Sequence, residues 1–201
     1  KGEETQNNIS EYEDAEEIEA FAYDMMISGS SKTAVSLLRL WKAKDVAGFD
    51  MSLFSKGQYV KAAEKSTNAD AICKILYPSD NHLEGKLLRL TQQYFLVSAS
   101  CQNIIRDHLS VYSTLENLPQ KVAIHINDTH PALCIPELMR IFIDEYFFSW
   151  DKAWYFVTRI VSYTNHTIMP EALETWNEDL FKLRLPRIYK IVCEINERFC
   201  K

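Results

Sequence analysis

Two short polar runs, Asn127-Asp128-Thr129-His130-Pro131 and Thr164-Asn165-His166-Thr167, concentrate amides, hydroxyls, a carboxylate and two imidazoles. Side chains of these types supply hydrogen-bond donors and acceptors, and an imidazole can also move a proton. A structural alternative is that Asp128, Thr129 and Thr167 cap helix N-termini while the prolines set first-turn geometry. Capping does not explain two histidines in two such turns. A metal reading takes His125, Asp128, His130 and His166 as N and O ligands. Against it, the sequence has no HExxH or paired-carboxylate spacing, and His125 lies inside an alternating run, on the opposite pleat face from Ile124 and Ile126. Nucleophilic catalysis lacks a GxSxG elbow. Cys134, four residues after His130, sits in an apolar helical run and reads as a buried structural thiol. With five glycines the chain has neither a GxGxxG nor a Walker A loop, so any phosphate is held by side chains or by parts of the protein outside this sequence.

The elements that must position these runs follow from hydrophobic spacing. Within Lys121–Asn127, Val122, Ile124 and Ile126 alternate with smaller or polar residues, which predicts a short strand after a loop over 113–120; Ala123 suits a sheet buried on both faces. A helix is expected from about Pro131 to Glu145, then one over Trp150–Ile160 with Ser149 as N-cap and Asp151 in its first turn. Val161-Ser162-Tyr163 reads as a second strand, Pro170 reopens helical sequence, and Pro186–Phe199 is amphipathic. Both polar runs therefore fall at the carboxyl ends of strands, where open α/β sheets bind ligands and helix N-termini present free N–H groups.

Upstream, Ile18–Ile27 and Thr33–Trp41 flank Ser28-Gly29-Ser30-Ser31, which predicts two extended segments around a turn. Short helical pieces near Tyr59–Ala63 and Ala69–Leu76 end at the turn signal Tyr77-Pro78-Ser79-Asp80-Asn81. Leu83, Leu87, Leu90, Tyr94, Val97, Cys101, Ile104 and His108 then alternate spacings of four and three, one face of a long central helix. Strands alternating with helices imply an α/β fold with parallel strands and flanking helices.

Charge and composition remove several function classes. Residues 1–20 hold Lys1 and eight acids, a net −7 of the chain's −6, which leaves +1 for the other 181 residues. We read 1–20 as an acidic polar lead-in and 21–201 as one domain. No basic run supplies the footprint that nucleic acid requires, and no apolar stretch approaches the ~20 residues of a membrane helix. Five cysteines without CxxC spacing argue against a disulfide framework or zinc knuckle and point to reduced, intracellular thiols. The start at Lys1, with no signal pattern, leads us to expect a piece of something longer.

Five motifs in order, Ala34-Val35-Ser36-Leu37-Leu38-Arg39-Leu40-Trp41, Leu76-Tyr77-Pro78-Ser79-Asp80-Asn81, Gly85-Lys86-Leu87-Leu88-Arg89-Leu90, Ile126-Asn127-Asp128-Thr129-His130-Pro131 and Tyr163-Thr164-Asn165-His166-Thr167 through Pro170-Glu171-Ala172-Leu173-Glu174, closely resemble the α-glucan (glycogen, starch, maltodextrin) phosphorylases. The similarity runs from about Tyr23 to the end. It implies a GT-B glycosyltransferase architecture of two Rossmann-like domains, with this chain resembling the later, incomplete part of the N-terminal one. Family members transfer a terminal α-1,4-linked glucose to inorganic phosphate, giving glucose 1-phosphate with retention, and use pyridoxal phosphate bound to a lysine in the C-terminal domain. The motif of that lysine, the glycine-rich loop and the basic phosphate-binding groups are not matched here, so the segment alone is expected to be inactive. The resemblance makes His166 the catalytic-site residue that bonds the glucose hydroxymethyl group, Asn81 a binder of a glucose hydroxyl, and Asp80 part of a mobile gate. Asp128 and His130 match the motif lining the substrate site, in a supporting rather than chemical role, and Glu171 and Glu174 resemble pocket-wall carboxylates. It further implies a cytoplasmic homodimer, with no nucleic-acid, membrane or metal partner. Arg106-Asp107 stands where nucleotide-activated members carry consecutive arginines, which implies no AMP activation through that surface. His82 replaces the gate aromatic of regulated animal members, which argues against purine-type inhibition there. A noncatalytic glucan-binding or assembly module and a metal-dependent hydrolase are the alternatives.

Overall fold

The computed structural model describes residues 15–31, 33–170 and 173–201. These form two compact units, Ala15–Ala99 and Ser100–Lys201. Most of the expected acidic lead-in, residues 1–14, lies outside the described residues.

In the first unit β1 (Ile18–Ser28) pairs with β2 (Val35–Asp45) from Ile18 opposite Asp45 to Ser28 opposite Val35. The expectation of parallel strands is corrected for this pair, which is antiparallel. The connection is too short to do otherwise, because a parallel return needs a crossover of a dozen or more residues. Gly29 N–H closes the turn onto the Ala34 carbonyl at 2.8 Å. Asp24 and Arg39 sit directly opposite one another and form a two-pronged ion pair, with both contacts at 2.6 Å. That hydrogen bond, reinforced by the guanidinium's charge, holds the Asp24 carboxyl below the usual carboxylate range.

Asp50 caps α1 (Met51–Ser55), its carboxylate accepting from the Ser52 and Leu53 N–H groups at 2.9 and 3.0 Å. The two helical pieces expected next are one helix, α2 (Tyr59–Lys74). Glu64, Lys65, Thr67 and Asn68, which broke the apolar pattern, are on its exposed side, while Ala62, Ala69 and Ile72 are buried. It packs on β2, where Ala43 is buried. The long helix is α3 (Leu83–Tyr112), about 45 Å at 1.5 Å per residue, and the division between the units falls within it. Leu90, Val97, Cys101 and His108 of the expected stripe are buried, together with Ile105; Leu83, at the helix start, is exposed.

In the second unit α4 (Leu118–Lys121) precedes β3 (Ile124–Asn127). Pro119 in the first turn favours that short helix, which takes Lys121 out of the expected strand. Then come α5 (Cys134–Arg140), continued by a π-helical turn over Ile141–Glu145, α6 (Trp150–Ile160), β4 (Val161–Thr164), α7 (Glu178–Arg184) and α8 (Pro186–Phe199). Ser149 caps α6 as expected, accepting from Lys152 N–H at 3.3 Å. Helix α5 packs on α6 and α8, around a core that includes Leu138, Met139, Val157, Ile188 and Ile191. The rings of Phe142, Phe148 and Phe156 meet with centroids 5.3–5.7 Å apart. Buried carboxylates in this unit are paired: Glu137 is held by Arg140 at 2.8 and 2.9 Å, and Asp144 by Arg187 at 2.6 and 2.8 Å.

Strands β3 and β4 are parallel, joined through α5 and α6, as the alternation of elements implied. The expectation of burial on both sheet faces is corrected. Ile126 is buried, but His125 and Asn127 on the other face are exposed, because among the described residues the sheet has two strands.

Candidate functional site

The parallel register runs Ile124 to Val161, His125 to Ser162, Ile126 to Tyr163 and Asn127 to Thr164. Both strands end at the same level, so Asp128 and Asn165 open their turns side by side. Asp128 N–H extends the ladder by donating to the Thr164 carbonyl at 2.8 Å. Its φ of 63° is left-handed, a conformation that Asp and Asn tolerate better than other non-glycine residues.

From that position Asp128 Oδ1 accepts the backbone N–H of His166 at 2.8 Å, and the neighbouring Thr129 Oγ1 accepts the N–H of Glu174 at 3.0 Å. Asn165 Nδ2 donates to the Thr167 carbonyl at 2.6 Å, and Met169 N–H donates to Thr167 Oγ1 at 3.2 Å. The capping reading of Asp128, Thr129 and Thr167 is thereby corrected. A turn over 131–133 separates the first polar run from α5, whose N-cap Leu133 makes no side-chain capping bond.

The structure thus brings Asp128, Thr129, His166 and Glu174 together by direct bonds. His130 and His166 are exposed, whereas Asp128, Thr129 and Glu174 are half-buried. Glu171 lies outside the described residues. Asp80 and Asn81 belong to the other unit, where they are exposed at the bend entering α3.

That bend is shaped by Gly85. A Cβ built there would stand 1.7 Å from the Ser79 carbonyl oxygen, so only glycine lets the Ser79–His82 loop lie against the first turn of α3. His82 Nδ1 accepts Gly85 N–H at 3.0 Å, and Lys86 N–H reaches the His82 carbonyl at 3.2 Å. The same Nδ1 is 3.3 Å from Glu84 Oε2, a contact that becomes an ion pair only if the ring is protonated, which would end the cap.

His125 Nδ1 is 3.1 Å from Ser162 Oγ, its cross-strand partner. Among the described residues no group of three or more His, Cys, Asp or Glu side chains could hold a metal ion. Cys134 is a buried thiol, with its Sγ 3.6 Å from Cys101 Sγ. That hydrogen bond, together with burial, pushes the Cys101 thiol well above its ordinary value, the opposite of what a nucleophile needs. All five cysteines are free.

Two residues escaped the sequence reading. Composition makes Thr129 a capping candidate, and only the shared ending of β3 and β4 reveals its partner 45 residues on. Gly85 left a usable signal, since a glycine in a first helical turn gives up about 1 kcal/mol against alanine and invites a search for close approach.

The carbohydrate phosphorylase family model matches residues 1–201. The chain is 46% identical over 192 residues to a glycogen phosphorylase of Chlamydia trachomatis, covering 96% of this chain and 24% of that protein. It is 50% identical over 184 residues to a glycogen phosphorylase of Pasteurella multocida, covering 92% and 22% respectively. It is 48% identical over 192 residues to the chloroplastic/amyloplastic alpha-1,4 glucan phosphorylase L isozyme of Vicia faba, covering 92% and 19%. The chain belongs to the carbohydrate phosphorylase family, whose members have a GT-B glycosyltransferase fold, and spans about a quarter or less of the length of these relatives. No helix among the described residues is long and apolar enough to cross a membrane.

Proposed function

We propose that the complete protein is an α-glucan phosphorylase, which transfers a terminal α-1,4-linked glucose to inorganic phosphate and yields glucose 1-phosphate. In this reading residues 1–20 lead into the fold, and residues 21–201 form the later part of a Rossmann-like N-terminal domain, incomplete by itself. The complete protein is a cytoplasmic homodimer that uses pyridoxal phosphate. Neither polar turn contains lysine or arginine, so these residues do not fit the Schiff base or the phosphate of that cofactor. Other parts of the protein supply both, and the residues in hand act on the sugar alone.

The observation that carries the reading is the in-step ending of β3 and β4, which sets two turns rich in neutral donors and acceptors side by side at the ligand-binding edge of an α/β sheet. His166 bonds the glucose hydroxymethyl group, and its backbone carbonyl faces the positive charge that develops on the sugar. Asn81 grips a hydroxyl, Asp80 belongs to the gate, and Asp128, His130, Glu171 and Glu174 line the wall. Neutral hydroxyls favour this chemistry, because an amide or imidazole left unpaired by the wrong sugar loses about 1 to 3 kcal/mol. In the complete enzyme His166→Ala lowers the phosphorolysis rate by more than about tenfold, the scale of one lost transition-state hydrogen bond. Near-normal turnover removes His166 from the site.

A further inference from the structure

We propose that Asp128 and Thr129 act as a two-point clamp on the loop after β4, and that this clamp positions His166. The inference rests on the reading of His166 as a sugar-contacting residue and says how Asp128, in the wall of the site, supports it.

The described part of residues 165–177 contains no strand and only a single residue of 3₁₀ helix at Pro170, so the regular backbone ladder that fixes β4 ends at Thr164. A segment of this kind retains conformational freedom unless side chains hold it. Asn165 Nδ2 to the Thr167 carbonyl, Met169 N–H to Thr167 Oγ1, and Leu173 N–H to the Pro170 carbonyl at 3.1 Å shape it from within. Other bonds among the described residues tie it to the sheet edge across long stretches of sequence. Asp128 Oδ1 takes His166 N–H at 2.8 Å over 38 residues, and Thr129 Oγ1 takes Glu174 N–H at 3.0 Å over 45.

Asp128 is itself fixed at both ends, because its own N–H is bound to the Thr164 carbonyl at 2.8 Å while its carboxylate reaches the residue two positions further along. The left-handed φ of 63° allows both bonds at once, since it turns the side chain toward β4 just as the main chain leaves β3. The result fixes the peptide plane between Asn165 and His166, the point from which the imidazole departs. A carboxylate acceptor makes this the stronger of the two bonds. The neighbouring polar residues divide the work: half-buried Asp128 and Thr129 spend oxygens on backbone, and exposed His166 keeps its ring for the sugar.

The test uses the complete phosphorylase and reads two quantities, the hydrogen exchange of the His166 and Glu174 amides and the turnover of glucan. Asp128→Gly keeps the left-handed backbone while deleting the acceptor; Asp128→Asn keeps both the backbone preference and a carbonyl acceptor; Thr129→Val keeps the shape and deletes the hydroxyl. Asp128→Gly is expected to speed exchange at His166 and to cut kcat on the order of tenfold to a hundredfold, the range expected for a catalytic group displaced by about an ångström. Asp128→Asn recovers most of both losses, and Thr129→Val speeds exchange at Glu174 with a smaller fall in kcat. Unchanged exchange at His166 in Asp128→Gly overturns the clamp. So does faster exchange with full turnover, provided that His166→Ala is impaired. If His166→Ala turns over normally, the sugar-site reading fails and the proposed positioning role fails with it, while the exchange data still report whether the tether exists.

Discussion

Replacing Gly85 with alanine tests whether the loop carrying Asp80 and Asn81 owes its place to one missing methyl group. The added Cβ would stand 1.7 Å from the Ser79 carbonyl oxygen, 2.9 Å from its carbon and 3.0 Å from His82 Cε1. Restoring an ordinary contact of about 3.4 Å to that oxygen requires the loop to retreat by about 1.7 Å, and a backbone carbonyl cannot swing aside as a flexible side chain would. The retreat breaks the His82 cap on Gly85 N–H, a loss of about 0.5–2 kcal/mol, and crowding adds about 1–3 kcal/mol. The better helix propensity of alanine returns about 1 kcal/mol. The net expectation is a destabilisation of about 2 kcal/mol, read as a lower urea midpoint in the complete protein. Glucan turnover should fall more steeply than stability, because a shift of more than an ångström in Asp80 and Asn81 is worth on the order of a hundredfold. An alanine variant that is as stable as the parent, or more so, and fully active would refute both the steric argument and the dependence of the sugar site on this bend.

Two further outcomes concern charges within the units. Asp144→Ala leaves the Arg187 guanidinium buried without its carboxylate, and should cost about 3–5 kcal/mol in denaturant unfolding; a loss below about 1 kcal/mol would show that water reaches the arginine. The Asp24 carboxyl titrates below its unfolded value because of Arg39, so its contribution is complete above the ordinary carboxylate range and is lost as pH falls through the depressed folded value. An NMR titration should therefore find Asp24 ionised below roughly pH 4, and Arg39→Gln should move it back toward that value; an unmoved titration would remove Arg39 as the cause.

What the sequence disclosed, and what it hid, divides along the range of the interactions involved. The buried stripe of α3 was legible because a helix face repeats within the chain itself, and Cys101 and His108 lie in it where the spacing put them. The two short strands were legible for a similar reason, and their shared direction followed from the helices between them. Two features of the site were not. The pairing of Asp128 with His166, and of Thr129 with Glu174, depends on β3 and β4 ending in step, which is a property of register and not of local composition. Local composition pointed the other way, since Asp and Thr ahead of an apolar helix are ordinary capping signals, and the turn over 131–133 set them out of reach of α5. Burial of both faces of β3 failed for a different reason: an alternating apolar pattern reports one covered face, and nothing in residues 121–127 tells whether more strands or helices cover the other.

In the proposed reading, the polar turns divide holding from contact between neighbouring residues. A sugar hydroxyl carries no charge to attract from a distance, so its recognition rests on the placement of donors and acceptors, and residues that do not touch the ligand help to set that placement. Asn-Asp-Thr-His and Thr-Asn-His-Thr combine the two tasks in adjacent positions: His130 and His166 remain exposed, while Asp128 and Thr129 between them are spent on backbone N–H groups. Gly85 lets the loop that carries Asp80 and Asn81 lie against α3 by the absence of a side chain. If the proposed site is right, a holding residue of this kind tolerates change less well than its modest bond strength suggests, because its loss displaces its neighbour as well as itself. Substitutions at Asp128, Thr129 and Gly85 should accordingly depress turnover out of proportion to stability, whereas a capping residue remote from both turns, such as Ser149, should change stability by about 1 kcal/mol and leave turnover per folded molecule untouched.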